Sequence, residues 1–523
     1  MEASNKYFHD SFPCKISSDL VKGRILLATR DILPGDLVFE EQPLVSGPSM
    51  NKNEEPSCLN CMKMIKTGTW SCSRNCEIIF AKTSEYMLVS KVLEHCQDWK
   101  TFFDAFLILR CLSLKDENVE QWALITSLDP NHEALSQDKD FICCEDKIVN
   151  VIRCDMEQSH HNADEIRLLH RILYINALEY HPHPGRVTIN NTCIYYVTNK
   201  ISRFLDEPSG GKALFPITSF ASHDCLNNTF RVRTWRKEER HGPVIQTRAK
   251  VLIQAGQEVT LHYSGGLKGR WERRKILWEG WCFACQCLRC KSPSELGSHF
   301  STLICGGPGG DGSNCRGNLL PNLDPNLTTL NDVTDYECDF CHSKADGTTV
   351  QKLEDQLTKA IESTFTDDIE GLESILDQFG SKFHPQHYLI SIVKWLLVNL
   401  LGRKPGFANS QMSRARLEGK IKYCQDYLNA LDIIDPGISH NRGRTLWEMY
   451  SACVFQSQID FQNQTISKKG FQDSLPNLRQ ILLEVQRCLR FSEGGSFEAK
   501  IVELSQKALI SVDEINKFLD MMP

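Results

Sequence analysis

The chain has 523 residues, 41% apolar and 24% charged, more than one hydrophobic core needs and unlike a collagenous, low-complexity or wholly disordered protein. At roughly 150 residues per unit, this length predicts about three domains. A formal net charge of −7 speaks against a protein that coats nucleic acid through bulk charge.

The most apolar stretch, Leu389 to Leu401, is too short to span a bilayer and is interrupted by Lys394, so no membrane crossing is expected. The polar, acid-bearing start from Met1 to Phe12 lacks the order of a secretory signal, which points to an intracellular location. In a reducing compartment, the 23 cysteines argue for metal binding, catalysis or plain burial rather than disulfides.

In chain order, Gly23 to Pro43 reads as strand, turn, strand: Arg24 to Arg30 favours extended structure, Pro34-Gly35 turns, and Leu37 to Phe39 extends again. Cys58-x2-Cys61 followed by Cys72-x3-Cys76 has the spacing of a small structural zinc module. Residues 83–126 and 157–178 carry helical apolar spacing, with Leu168, Leu169, Ile172 and Leu173 on one face. His181-Pro-His183-Pro and Asn190-Asn191 read as a surface loop. Short extended runs return between Leu214 and Tyr263, notably Phe230 to Trp235, Val244 to Thr247 and Glu258 to Tyr263. The basic run Arg231, Arg233, Arg236, Lys237 and Arg240 sits beside Glu238 and Glu239, as on a solvated hairpin face.

Cys282, Cys285, Cys287 and Cys290 crowd four thiols into nine residues, too close for unstrained local disulfides and suited to thiolates converging on zinc. Cys285, Cys287 and Cys290 form a trio that needs one more ligand from elsewhere. Cys305, Cys315 and Cys338-x2-Cys341 offer a third set around a turn at Gly306 to Gly310, or are simply buried as small side chains. Four protein ligands would close each coordination sphere, making all three sites structural. The other 11 cysteines, Cys143-Cys144 included, are expected to be packed thiols. Beyond residue 346 the chain reads as helical near 351–379, 386–402, 412–433, 442–457 and 473–519, in repeat-like pairs. Asp435-Pro436-Gly437 and Asn441-Arg442-Gly443 predict one helix ending near Ile434 and the next starting after Gly443.

Taken in order, these pieces resemble the SET and MYND family of S-adenosylmethionine-dependent protein lysine methyltransferases, in particular its divergent arthropod branch. The resemblance rests on Lys22-Gly23-Arg24-Ile25 through Asp36 and Glu40 to Pro43, and on Ile172 to Glu179 around Asn176. It continues with Ser219 to Asn228 around Ser222-His223-Asp224-Cys225, Gly256 to Tyr263, and Gly269 to Leu277 leading into the downstream cysteines. It covers most of the chain and implies an α+β multidomain architecture in six parts. These are a SET N-terminal part (1–57), a reduced MYND-like module (58–100), a helical SET insertion (101–180), the rest of the SET core (181–265), a cysteine-rich post-SET segment (266–345) and a helical, TPR-like domain (346–523). It also implies that Cys225 is the fourth ligand for Cys285, Cys287 and Cys290. Only one zinc set of the usual MYND pair remains, Cys58, Cys61, Cys72 and Cys76.

The implied cofactors are S-adenosylmethionine and up to three structural zinc ions. Lys22, Gly23, Arg24, Asn176, Ser222, His223, Tyr263 and Phe283 are the expected cofactor contacts. Methyl transfer to lysine needs a neutral amine held in line with the sulfonium methyl, so a catalyst must position and desolvate. Tyr263 is the expected catalytic residue, orienting the amine, unless its ring merely packs in a strand; His223 either serves the cofactor or is a polar group satisfied beside the cysteine ligand. Two positions depart from the family pattern: Ile25 stands where a glycine admits close backbone approach, and Ser222 replaces an asparagine amide with a shorter hydroxyl. The expected partners are a protein with an exposed lysine, histone or not, and transcriptional co-regulators, in nucleus and cytoplasm. The competing expectation is a catalytically silent scaffold that presents binding surfaces.

Overall fold

A computed structural model describes residues 12–48, 58–59, 71–81, 85–86, 98–180, 211–234, 244–307, 315–323, 335–364 and 367–521. Cys61, His181, His183, Asn190, Asn191, Arg236, Lys237 and Arg240 lie outside the described residues.

Among the described residues, the SET part holds three small antiparallel sheets. Strands β1 (Cys14–Asp19), β2 (Gly23–Ala28), β3 (Leu37–Glu41), β4 (Val45–Pro48), β5 (Ala177–Tyr180), β6 (Gly211–Leu214), β7 (Thr229–Thr234), β8 (Val244–Ala249) and β9 (Glu258–Val259) pair as β1-β2-β9, β3-β8-β7 and β4-β6-β5. The β1–β2 hairpin turns because Asp19 accepts from the amides of Val21 and Lys22, both at 2.8 Å. Gly23 reopens the strand at φ 74°, a left-handed backbone that glycine adopts without a Cβ penalty.

Helices α1 (Arg74–Ala81), α2 (Trp99–Glu117), α3 (Val119–Thr126), α4 (Lys139–Asn150) and α5 (Ala163–Asn176) lie between β4 and β5 in the chain. α2 buries Phe102, Phe103 and Phe106, and α5 buries Ile166, Leu169, Ile172 and Leu173, in one core with Leu26, Val38 and Phe39 of the strands. Cys143, Cys144 and Cys154 are exposed, not packed as expected: α4 turns Phe141, Glu145, Ile148 and Val149 inward, and the 3.6-residue period leaves the first two on the outer face.

Helix α6 (Arg270–Trp281) follows the SET strands, and a short-stranded sheet of β10 (Leu303–Ile304), β11 (Asn318–Pro321), β12 (Tyr336–Cys338) and β13 (Lys344–Ala345) follows it. The tail is helical throughout: α7 (Gly347–Ser363), α8 (Ile369–Phe379), α9 (Tyr388–Leu400), α10 (Arg414–Ile434), α11 (His440–Gln462), α12 (Lys468–Leu489) and α13 (Phe497–Met521). The two longest helical expectations each split. Asp368 caps α8 by accepting from the Gly371 amide at 3.0 Å, and Gly494-Gly495 falls in the break before α13.

The first helix ends at Ile434 as expected, whereas α11 starts at His440 under a Ser439 cap, so Gly443 lies inside it. That glycine is a packing residue and not a stop: a Cβ there would stand 2.5 Å from Leu489 Cγ, where α12 presses against α11. The Leu389–Leu401 stretch forms α9 and its buried flank, and no helix among the described residues is long and apolar enough to cross a membrane.

Candidate functional site

Two stretches cross at the heart of the SET part. The Leu261 amide donates to the Ser222 carbonyl at 2.9 Å, and the Asp224 amide donates back to the Leu261 carbonyl at 3.0 Å. The crossing is locked from the side by Asn228, whose Oδ1 accepts the Thr260 amide at 2.9 Å, and by Thr229, whose hydroxyl donates to the Thr260 carbonyl at 2.6 Å. Upstream, Glu41 of β3 reaches the turn before Ser219, accepting the amides of Ile217 at 2.6 Å and Thr218 at 2.9 Å. Strands distant in sequence thereby fix where residues 219–225 lie.

The crossing brings Cys225 to Cys285, Cys287 and Cys290, their sulfurs all within 4.8 Å of one another. Cys225 Sγ is 3.9 Å from Cys285 Sγ and 3.6 Å from Cys290 Sγ. Four sulfurs bound tetrahedrally about 2.3 Å from one zinc ion stand roughly 3.8 Å apart, so the set fits zinc and is far too open for a disulfide. Arg273, buried on α6, directs Nη2 at Cys290 Sγ from 3.7 Å. Arg273 and Arg289 both meet Glu295, at 2.8 and 2.7 Å, which ties α6 to the segment after the trio. Burial would raise the Glu295 carboxyl, but the two guanidiniums outweigh it and hold it below its ordinary range.

Tyr263 follows the crossing. Its hydroxyl donates to the Ala221 carbonyl at 2.6 Å, and its ring lies 5.0 Å from Trp281, 5.3 Å from His223. Phe283 adds a further ring 6.0 Å from His223. Burial pushes the Tyr263 phenol up to about 12. His223 Nδ1 accepts the Tyr263 amide at 3.1 Å, which leaves the proton on Nε2, 3.3 Å from Cys225 Sγ. Its ring therefore joins the tyrosine segment to the cysteine set, with both nitrogens used. Burial drives His223 down to about 3, so it stands neutral.

Lys22 pairs with Glu258 at 2.7 Å, and the Ser222 hydroxyl donates to the same carboxylate. Arg24 lays its guanidinium 4.7 Å from the centre of the Phe220 ring and donates to Ser127 at 3.2 Å. Asn176 at the end of α5 donates to the carbonyls of Asp129 and Ile172, both at 2.9 Å. Ile25 is buried in β2 at 8% exposure. Glu258, Phe220, Trp281 and the Arg273–Arg289–Glu295 group escaped sequence reasoning. Glu258 lies within the Gly256–Tyr263 stretch, but nothing in the chain order signals that it faces both Lys22 and Ser222.

The other two cysteine sets also converge. Cys58, Cys72 and Cys76 bring their sulfurs within 4.8 Å of one another, with Cys72 and Cys76 3.5 Å apart; the expected fourth ligand, Cys61, is the one outside the described residues. Cys305, Cys315, Cys338 and Cys341 meet likewise, with sulfur separations of 3.6 Å for Cys305–Cys341 and 3.8 Å for Cys315–Cys338. All three clusters bring their sulfurs close enough together for one zinc ion to be held among them.

Residues 23–264 match the SET domain family. That part of the chain has the character of a SET domain. It is 24% identical over 432 residues, 81% of this chain and 85% of the relative, to the SET domain-containing protein SmydA-8, isoform A, of Drosophila melanogaster. It is 37% identical over 85 residues, 16% of this chain and 18% of the relative, to the histone-lysine N-methyltransferase SMYD3 of Mus musculus. Among solved structures, the SET domain of LSMT bound to lysine and AdoHcy covers 96% of both chains at 12% identity, with a TM-score of 0.31, too loose a superposition to argue from. The SET-domain match and these relatives support a divergent, SMYD-like character for the chain.

Proposed function

We propose that the protein is an S-adenosylmethionine-dependent protein-lysine N-methyltransferase acting on histone or non-histone proteins, with transcriptional co-regulators as partners, in nucleus and cytoplasm. The observation that carries this reading is the ring-walled position of Tyr263 over the 219–225 crossing, closed by a four-cysteine set. The SET-domain match and the likeness to a mouse histone-lysine N-methyltransferase support it.

In this reading S-adenosylmethionine supplies an electrophilic methyl group on a sulfonium. Lys22, Gly23, Arg24, Asn176, Ser222, His223, Tyr263 and Phe283 hold it. The opposite charges of Lys22 and Glu258 match the carboxylate and ammonium of an amino-acid group. The Ser222 hydroxyl donates to the Glu258 carboxylate, which fixes its orientation at this position. The His223 nitrogens are already engaged, so its contact falls to the ring face or the backbone. The lysine sheds its proton to water before attack. The rings of His223, Trp281 and Phe283 then disfavour the ammonium form by desolvation. A phenol pushed up to about 12 stays protonated at neutral pH, so Tyr263 orients the amine through its hydroxyl and is not a base.

Calorimetric titration with S-adenosylmethionine tests the reading. Binding heat together with methyl incorporation into core histones or a cell-extract protein supports it, and no heat or thermal shift up to millimolar cofactor leaves a non-catalytic scaffold. Tyr263→Phe is expected to lower turnover about a hundredfold with cofactor affinity within about threefold. Unchanged turnover would remove Tyr263 from the chemistry.

A further inference from the structure

We propose that the third cysteine set is a metal joint. One zinc ion held by Cys305, Cys315, Cys338 and Cys341 fixes the angle at which the helical domain meets the SET core, and with it the width of the cavity between them. The proposal stands apart from methyl transfer and survives if that reading fails.

The case for the ion goes beyond converging sulfurs. Four backbone amides point at them: Gly307 to Cys305 at 3.4 Å, Gly317 to Cys315 at 3.3 Å, and Phe340 and Cys341 to Cys338 at 3.4 and 3.5 Å. Such donors stabilise thiolates, the form that binds a metal. The strands beside these cysteines, of which β12 alone contains one, Cys338, are two to four residues long, and a sheet that small does not stand without a staple.

The case for the joint is what this sheet grips. On one side, the Ile304 amide donates to Lys382 at 2.8 Å, the Tyr388 amide to Phe300 at 2.8 Å and the His384 amide to Thr302 at 3.1 Å, while Leu303 packs into the core of the helical domain. On the other side, the α6 amide of Arg270 donates to Ser301 at 2.8 Å, beside Glu295. The helical domain touches the SET core a second time, where the Ile438 amide donates to the Lys250 carbonyl at 3.0 Å and Lys250 pairs with Asp435. At that second contact lies a cavity of about 490 Å³, lined by Thr229, Leu261 and His262 of the core and by Asp435 and Ser439 of the helices. One attachment lets a domain pivot; the sheet's grip, together with the contacts beside the cavity at Lys250 and where Arg490 donates to the Pro34 carbonyl at 3.3 Å, sets its opening.

Full-length protein is compared with Cys341→Ser by metal analysis and amide hydrogen exchange. The variant is expected to carry one zinc fewer per chain. Its Ile438 amide is expected to exchange at least about tenfold faster, with the Leu261 and Asp224 amides of the crossing within about twofold of wild type. Unchanged zinc content, or a lost ion with an unchanged Ile438 amide, overturns the proposal. Should Cys341→Ser aggregate, Cys341→His decides: as a replacement ligand it is expected to keep both the ion and the slow Ile438 amide, and a slow Ile438 amide without the ion overturns the proposal.

Discussion

Replacing Glu295 by glutamine removes one negative charge from between two arginines without changing the shape of the site. Arg273 and Arg289 approach Glu295 at 2.8 and 2.7 Å, the Ser301 hydroxyl at 2.5 Å, and the three charged side chains are at most 1% exposed. A glutamine keeps one carbonyl acceptor but turns amide donors toward guanidinium donors, leaving two buried cations without a counter-charge. Breaking a buried pair in this way costs about 3–5 kcal/mol. A tetrathiolate zinc centre carries two negative charges, and Arg273 stands 3.7 Å from Cys290 Sγ, so the bound ion offsets part of the loss. The low end, about 3 kcal/mol, is therefore expected for the zinc-loaded protein, and a larger loss after chelation. Urea unfolding followed through Trp271, Trp278 and Trp281 of α6 reads it. With a slope near 3 kcal/mol per molar, the midpoint of that transition moves down by about 1 M. A loss under about 1 kcal/mol, with or without zinc, would refute the view that this ion group anchors the segment over the tyrosine.

Cys225→Ser should lower the zinc content by one ion per chain and loosen the segment after α6; wild-type metal content in the variant would separate Cys225 from the downstream trio. Burial raises the Glu41 carboxyl from 4.5 to about 7 despite three hydrogen bonds that favour its charged form. A raised folded pKa means stability that is complete below the unfolded value and is lost as pH climbs through the folded one, at up to about 1.4 kcal/mol per pH unit. Glu41→Gln should therefore gain stability relative to wild type between pH 4.5 and 7, and a difference that ignores pH contradicts the assignment. Gly443→Ala drives a methyl to 2.5 Å from Leu489 Cγ; overpacking of about 1–3 kcal/mol outweighs the roughly 1 kcal/mol of helix propensity gained, so unfolding midpoints should fall.

What the chain order could reveal was whatever repeats or clusters locally. The apolar period of 166–173, the end of α10 at Asp435-Pro436-Gly437 and the four downstream cysteines are all readable because neighbours in sequence carry the signal. Periodicity also contained the exposure of Cys143 and Cys144, had it been followed through α4. It could not place Gly443, whose need for a bare Cα comes from Leu489 on another helix.

The candidate site divides along the same line. Sequence alone supplied the residue types, Tyr263, Ser222, His223 and the cysteine trio, and resemblance supplied their order. Only the folded chain determined that Glu258 serves Lys22 and Ser222 together and that His223 spends both nitrogens on Tyr263 and Cys225. It also set Glu295 between two arginines 22 and 6 residues away. Such pairings follow from backbone crossings such as 222 over 261, and a hydrogen bond a few ångströms long between partners at no fixed spacing leaves no periodic trace in the chain.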